Sequence, residues 1–174
     1  GLIVVLLLQL ALGKVEYQEQ VLLASLYLLW AALLMLLGSV LRKELGLATV
    51  SNVLAWFLLV GGMLSVLVGV LQHYQIHSFL DKVINAKNSS AIFGNLAQAN
   101  HFADYTSLAL ASLLYLLGAG RIRPYLVAAF APPLLFVLAL SGSRSAWLYL
   151  AALAVLATWF YLRNKADAGD DKPG

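Results

Sequence analysis

The sequence contains no cysteine, which removes disulfide bridges, thiolate zinc sites, iron–sulfur clusters and a thiol nucleophile from consideration. Charge is almost as scarce: Asp, Glu, Lys and Arg make up 11% of the 174 residues, against about 25% in an average soluble domain. The net charge of +3 is scattered, with no run of Lys or Arg and no interleaved aromatics, so nucleic acid is not an expected partner. Also missing are a phosphate-cradling glycine loop, an HExxH motif and a readable Ser–His–Asp order. Chemistry must therefore draw on His, Arg, carboxylate, amide and hydroxyl groups, and no resident metal or cofactor is expected.

What fills the chain instead is apolar residue, 62% of the total, gathered in long runs that only lipid can cover. A helix needs about 20 such residues to cross a bilayer. Residues 21–40, 50–71, 96–117, 125–140 and 146–162 meet or approach that length, and LIVVLLLQLAL at the start reads as a sixth, truncated helix. With no Met and no basic leader, that first run is not a signal peptide, and the chain reads as a piece of something longer. The expected fold is an all-α polytopic transmembrane bundle of about six spanning helices over residues 1–162. An outer loop is expected near 72–95, and 163–174 as a polar cytoplasmic tail or the start of a further loop.

Each crossing changes side, so alternate connections share a face. One face collects Arg42, Lys43, Arg121, Arg123, Arg163, Lys165 and Lys172; the other holds Lys14, Lys82, Lys87 and Arg144. The richer set reads as cytoplasmic, which places the long polar loop and the SGSRS turn together outside. Within the spans, Gly61, Ser65 and Gly69 form a small-residue stripe suited to close helix packing. Pro132 and Pro133 free the carbonyls of Ala128 and Ala129 and are expected to kink the fifth helix.

Two polar clusters stand out. In NAKNSSAIFGNLAQANHFADY, Asn95 and Gln98 have the spacing of a capping box, so a helix is expected to start at Asn95. At 3.6 residues per turn, Asn95, Gln98, His101 and Tyr105 then share one sector of about 120°, while Asn100 and Asp104 point elsewhere. Capping explains the first two residues; polar groups entering a membrane helix more often face a cavity or partner. The second cluster is Ser141-Gly142-Ser143-Arg144-Ser145, a turn in which Ser143 or Ser145 can cap the last helix. A cation at a helix N-terminus opposes the macrodipole. Arg144 becomes favourable there if a phosphate docks, and the bland alternative is an arginine snorkelling to lipid headgroups.

Three weaker features remain. His73 and His77 have the i, i+4 spacing of metal ligands but lack a third ligand, and Ile76, Phe79, Leu80, Val83 and Ile84 make an interfacial helix the better reading. Asn88-Ser89-Ser90 matches a glycosylation acceptor only formally. Glu16 and Glu19 read as solvated carboxylates.

GNLAQANHFADY, then a span, a short basic loop, another span and SGSRSAW together resemble the bacterial O-oligosaccharyltransferases of the protein glycosylation ligase type, relatives of O-antigen ligases and polymerases. The ligases' Gln-x-Asn-His motif is matched by Gln98, Asn100 and His101, and the superfamily's Ser-Arg motif by Ser143 and Arg144. The resemblance implies transfer of a glycan from a polyprenyl-diphosphate lipid to a hydroxyl of an acceptor protein such as a pilin. It places the reaction at the periplasmic face of a bacterial inner membrane, without a metal. Gln98, Asn100, His101, Ser143 and Arg144 would bind substrate. The family's large later loop with its essential histidine has no counterpart here, so the chain is expected to supply part of a site and to be inactive alone. Competing readings are an O-antigen ligase or polymerase, a transporter or flippase using the proline kink, and a scaffold using the Gly61, Ser65 and Gly69 face.

Overall fold

The computed structural model describes residues 1–14, 18–76, 79–82, 84, 91–96 and 98–170. Helices dominate: α1 (Leu2–Ala11), α2 (Gln18–Leu45), α3 (Leu47–Tyr74), α4 (Ala99–Gly118), α5 (Pro124–Leu140) and α6 (Arg144–Asp170). The all-α membrane architecture read from the apolar runs is borne out. Among the described residues, Gln18–Leu45, Leu47–Tyr74 and Arg144–Arg163 are each long and apolar enough to cross a bilayer. The chain is a multi-pass membrane protein.

Two compact units divide it, residues 1–51 and 52–174. In the first, α1 packs along α2. The connection expected over residues 41–48 shrinks to Gly46, whose φ of 80° lets α2 end and α3 begin without a loop. Arg42 and Lys43 lie in the last turn of α2, where cations complement the helix dipole.

In the second unit α4 is the central helix. Phe102, Ala103, Ala109, Leu113 and Leu116 are buried along it, and it packs against both α5 and α6. Its third neighbour is α3, whose buried face runs Ala55, Leu59, Gly62, Val66, Gly69 and Gln72. There the small residues let the helices approach: a Cβ at Gly62 would strike that of Ala109, and one at Gly61 would strike the Tyr105 hydroxyl. Gly69 lies against the Phe102 ring, 3.0 Å from where its Cβ would be. The close helix packing expected of this stripe is seen at Gly61 and Gly69, which both meet α4.

Pro124 occupies the first turn of α5, where its missing N–H costs nothing, and α5 continues through Pro132 and Pro133. Apolar residues on α2 and α6 remain largely uncovered, among them Leu33, Leu37, Trp147 and Leu148, as lipid-facing spans require. Near the end of the α6 span, Arg163 sits 5.6 Å from the Trp159 ring centroid, and Trp159 meets Phe160 edge-on. This aromatic and basic cluster suits a membrane interface. α6 then runs on to Asp170, through residues expected as tail. Of the expected interfacial helix, the described part is a short 3-10 helix, Phe79–Lys82. Val83, His77, Glu16 and the Asn88-Ser89-Ser90 triplet lie outside the described residues.

Candidate functional site

The segment before α4 is held by a residue that sequence reasoning passed over. Gln72, only 4% exposed at the end of α3, accepts the N–H groups of Phe93 and Gly94 at 3.0 Å each. Its own amide donates to the Gly94 carbonyl at 3.4 Å. One carboxamide thereby satisfies three backbone groups of the turn. Gly94 itself has φ of 54°, and a Cβ there would sit 3.0 Å from the Phe102 ring. Conformation and space both demand glycine. The Ile92 N–H donates to the Leu140 carbonyl at 3.4 Å, tying the same segment to the end of α5. The signal for Gln72 was an amide in an otherwise apolar span.

This anchoring shifts the start of α4. The Leu96 N–H bonds the Phe93 carbonyl at 3.1 Å, closing a turn where the capping box would have formed. The helix begins at Ala99, and Gln98 is its N-cap, extended at φ −143° and without a side-chain cap bond. Asn95 therefore lies before the helix and not on its polar stripe. The Gln98 carboxamide is exposed and has no partner among the described residues.

The stripe itself divides. Tyr105 turns to α3 at Gly61, whereas His101 stays out, with its side chain 66% exposed. The residues expected to point elsewhere make the decisive contacts, because their face of α4 meets α6. Ser143 Oγ donates to Asn100 Oδ1 at 2.9 Å, and Tyr149 Oη donates to Asp104 Oδ1 at 2.8 Å. Asp104 Oδ2 lies 3.9 Å from His101 Nδ1.

The turn between α5 and α6 is similarly self-sufficient. Ser141 Oγ donates to the Leu138 carbonyl at 2.6 Å and accepts the Ser143 N–H at 3.2 Å. Gly142 takes a φ of 64° between them. Ser143 and Ser145 share a 2.7 Å hydroxyl contact. Since the single Ser143 proton goes to Asn100, Ser145 is the donor in that pair. Arg144, the first residue of α6, is exposed, and its guanidinium has no ion pair among the described residues.

The amide-and-imidazole motif and the Ser-Arg motif thus meet at one end of the helices, with Gln98, His101 and Arg144 left open. Beside them, α4 and α6 enclose a cleft of about 330 Å3 whose lining includes Asp104, Tyr149, Leu108 and Leu153. Ser107 also lines it, and its buried hydroxyl has no hydrogen-bond partner among the described residues. His73 is part-buried and edge-on to Tyr74. Among the described residues no three His, Asp or Glu side chains come together as a metal site.

Fold and site together define a multi-pass helical membrane chain in which the starts of α4 and α6 carry a polar cluster beside an exposed arginine. Residues 92–117, which carry the Gln72-anchored turn and α4, match the family described as protein glycosylation ligase. Over 156 residues, 89% of its length, the chain is 28% identical to a general O-oligosaccharyltransferase of Acinetobacter baylyi (strain ATCC 33305 / BD413 / ADP1). The alignment covers 27% of that relative, so the chain spans about a quarter of its length. No solved structure matches the chain. The resemblance to protein glycosylation ligases drawn from the two motifs is borne out.

Proposed function

We propose that this chain forms part of a membrane oligosaccharyltransferase that moves a glycan from a polyprenyl-diphosphate lipid to a protein hydroxyl at the periplasmic face. The observation that carries the reading is the Asn100–Ser143 hydrogen bond, which brings a phosphate-suited arginine beside a set of amide and imidazole groups. In the reaction the glycan's anomeric carbon–oxygen bond to the diphosphate breaks and a bond to the acceptor oxygen forms. The acceptor's proton passes to a base, and the diphosphate leaves with the negative charge.

A guanidinium at a helix N-terminus suits that leaving group, because its five N–H donors and the helix's unpaired amides can all meet negative charge. Gln98 and His101 would orient the sugar or acceptor, and Asn100 and Ser143 would hold the two motifs in register. The apolar part of the α4–α6 cleft adjoins this end and suits the isoprenoid. Periplasmic placement is supported by the Lys and Arg excess on the opposite connections. Acceptors such as pilins are open to the same chemistry.

The test is Arg144→Ala in the complete protein, expressed in cells with its donor and acceptor. Acceptor glycosylation should vanish while the protein remains in the membrane at its usual level. Unchanged glycosylation would remove Arg144 from the reading.

A further inference from the structure

Asp104 is a carboxylate in the second turn of α4, with its side chain 45% exposed. Its two oxygens have separate partners. Oδ1 accepts the Tyr149 hydroxyl at 2.8 Å, which fixes the carboxylate from α6. Oδ2 faces His101 Nδ1 at 3.9 Å, one turn back along α4. The contact is longer than a hydrogen bond, but an ionised carboxylate can only accept, so its charge favours hydrogen on the ring nitrogen that faces it. In the neutral imidazole this leaves Nε2 as a bare lone pair on a ring that is 66% exposed.

From this arrangement we infer that Asp104, held by Tyr149, is a positioning residue that biases the His101 tautomer so that Nε2 accepts a hydrogen bond from a substrate hydroxyl. The inference rests on the glycan-transfer reading and deepens it by dividing the labour. A bare nitrogen repels a phosphate oxygen, which has no proton to offer, and attracts a hydroxyl. Arg144, with donors only, has the reverse preference. His101 therefore serves the hydroxyl partner and Arg144 the diphosphate. The hydroxyl can come from the donor's sugar or from the acceptor protein, and kinetics distinguish the two.

Asp104→Asn is the discriminating substitution. The amide retains an oxygen to accept the Tyr149 hydroxyl, so a residue that merely ties α4 to α6 would tolerate it. It places N–H in place of the second oxygen, so the tautomer should reverse. In the complete protein, Asp104→Asn should raise KM about tenfold for whichever substrate supplies the hydroxyl, leaving the other KM within twofold. A rise for the acceptor assigns the acceptor hydroxyl; a rise for the lipid-linked donor assigns a sugar hydroxyl. Tyr149→Phe, which frees the carboxylate without removing it, should give a smaller rise of the same KM. Neither KM changing in either variant overturns the assignment.

A second measurement is independent of turnover. Nitrogen NMR of histidine-labelled protein in nanodiscs, with the His101 signal identified by its loss in His101→Gln, should show hydrogen on Nδ1 in the unsubstituted protein. It should show hydrogen on Nε2 in Asp104→Asn. Hydrogen on Nε2 in the unsubstituted protein, or on both nitrogens, overturns the assignment. Absence of glycan transfer by the unsubstituted protein sinks the functional reading alone, since the NMR result still decides the role of Asp104.

Discussion

Ser143 Oγ lies 2.9 Å from Asn100 Oδ1, across 43 residues of chain, and this one bond joins the start of α6 to the start of α4. Ser143 is almost fully buried while its neighbour Arg144 is exposed, so the pair anchors one side chain and presents the next.

Breaking this bond should loosen the site more than the fold. Asn100→Ala removes a partly exposed hydrogen bond worth about 0.5–1.5 kcal/mol, a small change in thermal stability in detergent. Glycosylation of the acceptor should fall at least tenfold, because the arginine and the amide group lose their register. Ser143→Ala should reproduce the loss, and the double substitution should be little worse than either single one.

Charge and shape at Arg144 can be separated with lysine. Arg144→Lys keeps the cation but loses the planar fork that grips two oxygens. Transfer should recover to an intermediate level, well above that of the alanine variant and well below the unsubstituted protein, in the same cell-based glycosylation assay.

Gln72 is a structural dependence that activity assays alone would misassign. Gln72→Leu strands the Phe93 and Gly94 N–H groups, at roughly 1–3 kcal/mol for each group left unsatisfied. The expected outcome is a lowered melting temperature of the purified protein and protease cleavage near residues 91–98, alongside lost activity.

Gly94→Ala meets two penalties at once. An L-residue at a φ of 54° costs about 1–2 kcal/mol, and the added methyl presses on the Phe102 ring. Thermal melting should show a loss exceeding the conformational cost alone. Phe102→Leu in the same chain, by clearing the ring, should restore part of it.

Replacing Pro132 and Pro133 together with alanine separates glycan transfer from transport. Both lie inside the continuous α5 and away from the Asn100–Ser143 contact. Acceptor glycosylation should persist at half its level or more; a transporter working through this helix would lose its substrate flux.

The helices were legible because lipid imposes a simple rule: backbone polar groups must pair within the segment, so each long apolar run becomes a helix. That rule located α2 through α5 and the start of α6 within about five residues, though α6 runs on to Asp170 through the expected tail, and the Ser-Gly turn before Arg144 followed from local chemistry. The start of α4 was misread because Asn95 and Gln98 have capping-box spacing, and nothing local reveals that Gln72, more than twenty residues earlier, claims the turn's amides. Which residues of α4 meet a neighbouring helix was not legible for a related reason. Helical periodicity ranks residues around one axis, and only the position of α6 decides that Asn100 and Asp104 face a partner while His101 stays open.

Composition and order alone determined that the chain crosses a membrane as helices and carries two polar motifs on connections of the same side. Their meeting was decided by tertiary packing, because hydrogen bonds act over about 3 Å and the bonded side chains come from helices brought together by the apolar contacts of α4. The small residues of α3, the ring of Phe102 and the clamp of Gln72 set that arrangement, and no stretch of sequence taken by itself encodes it.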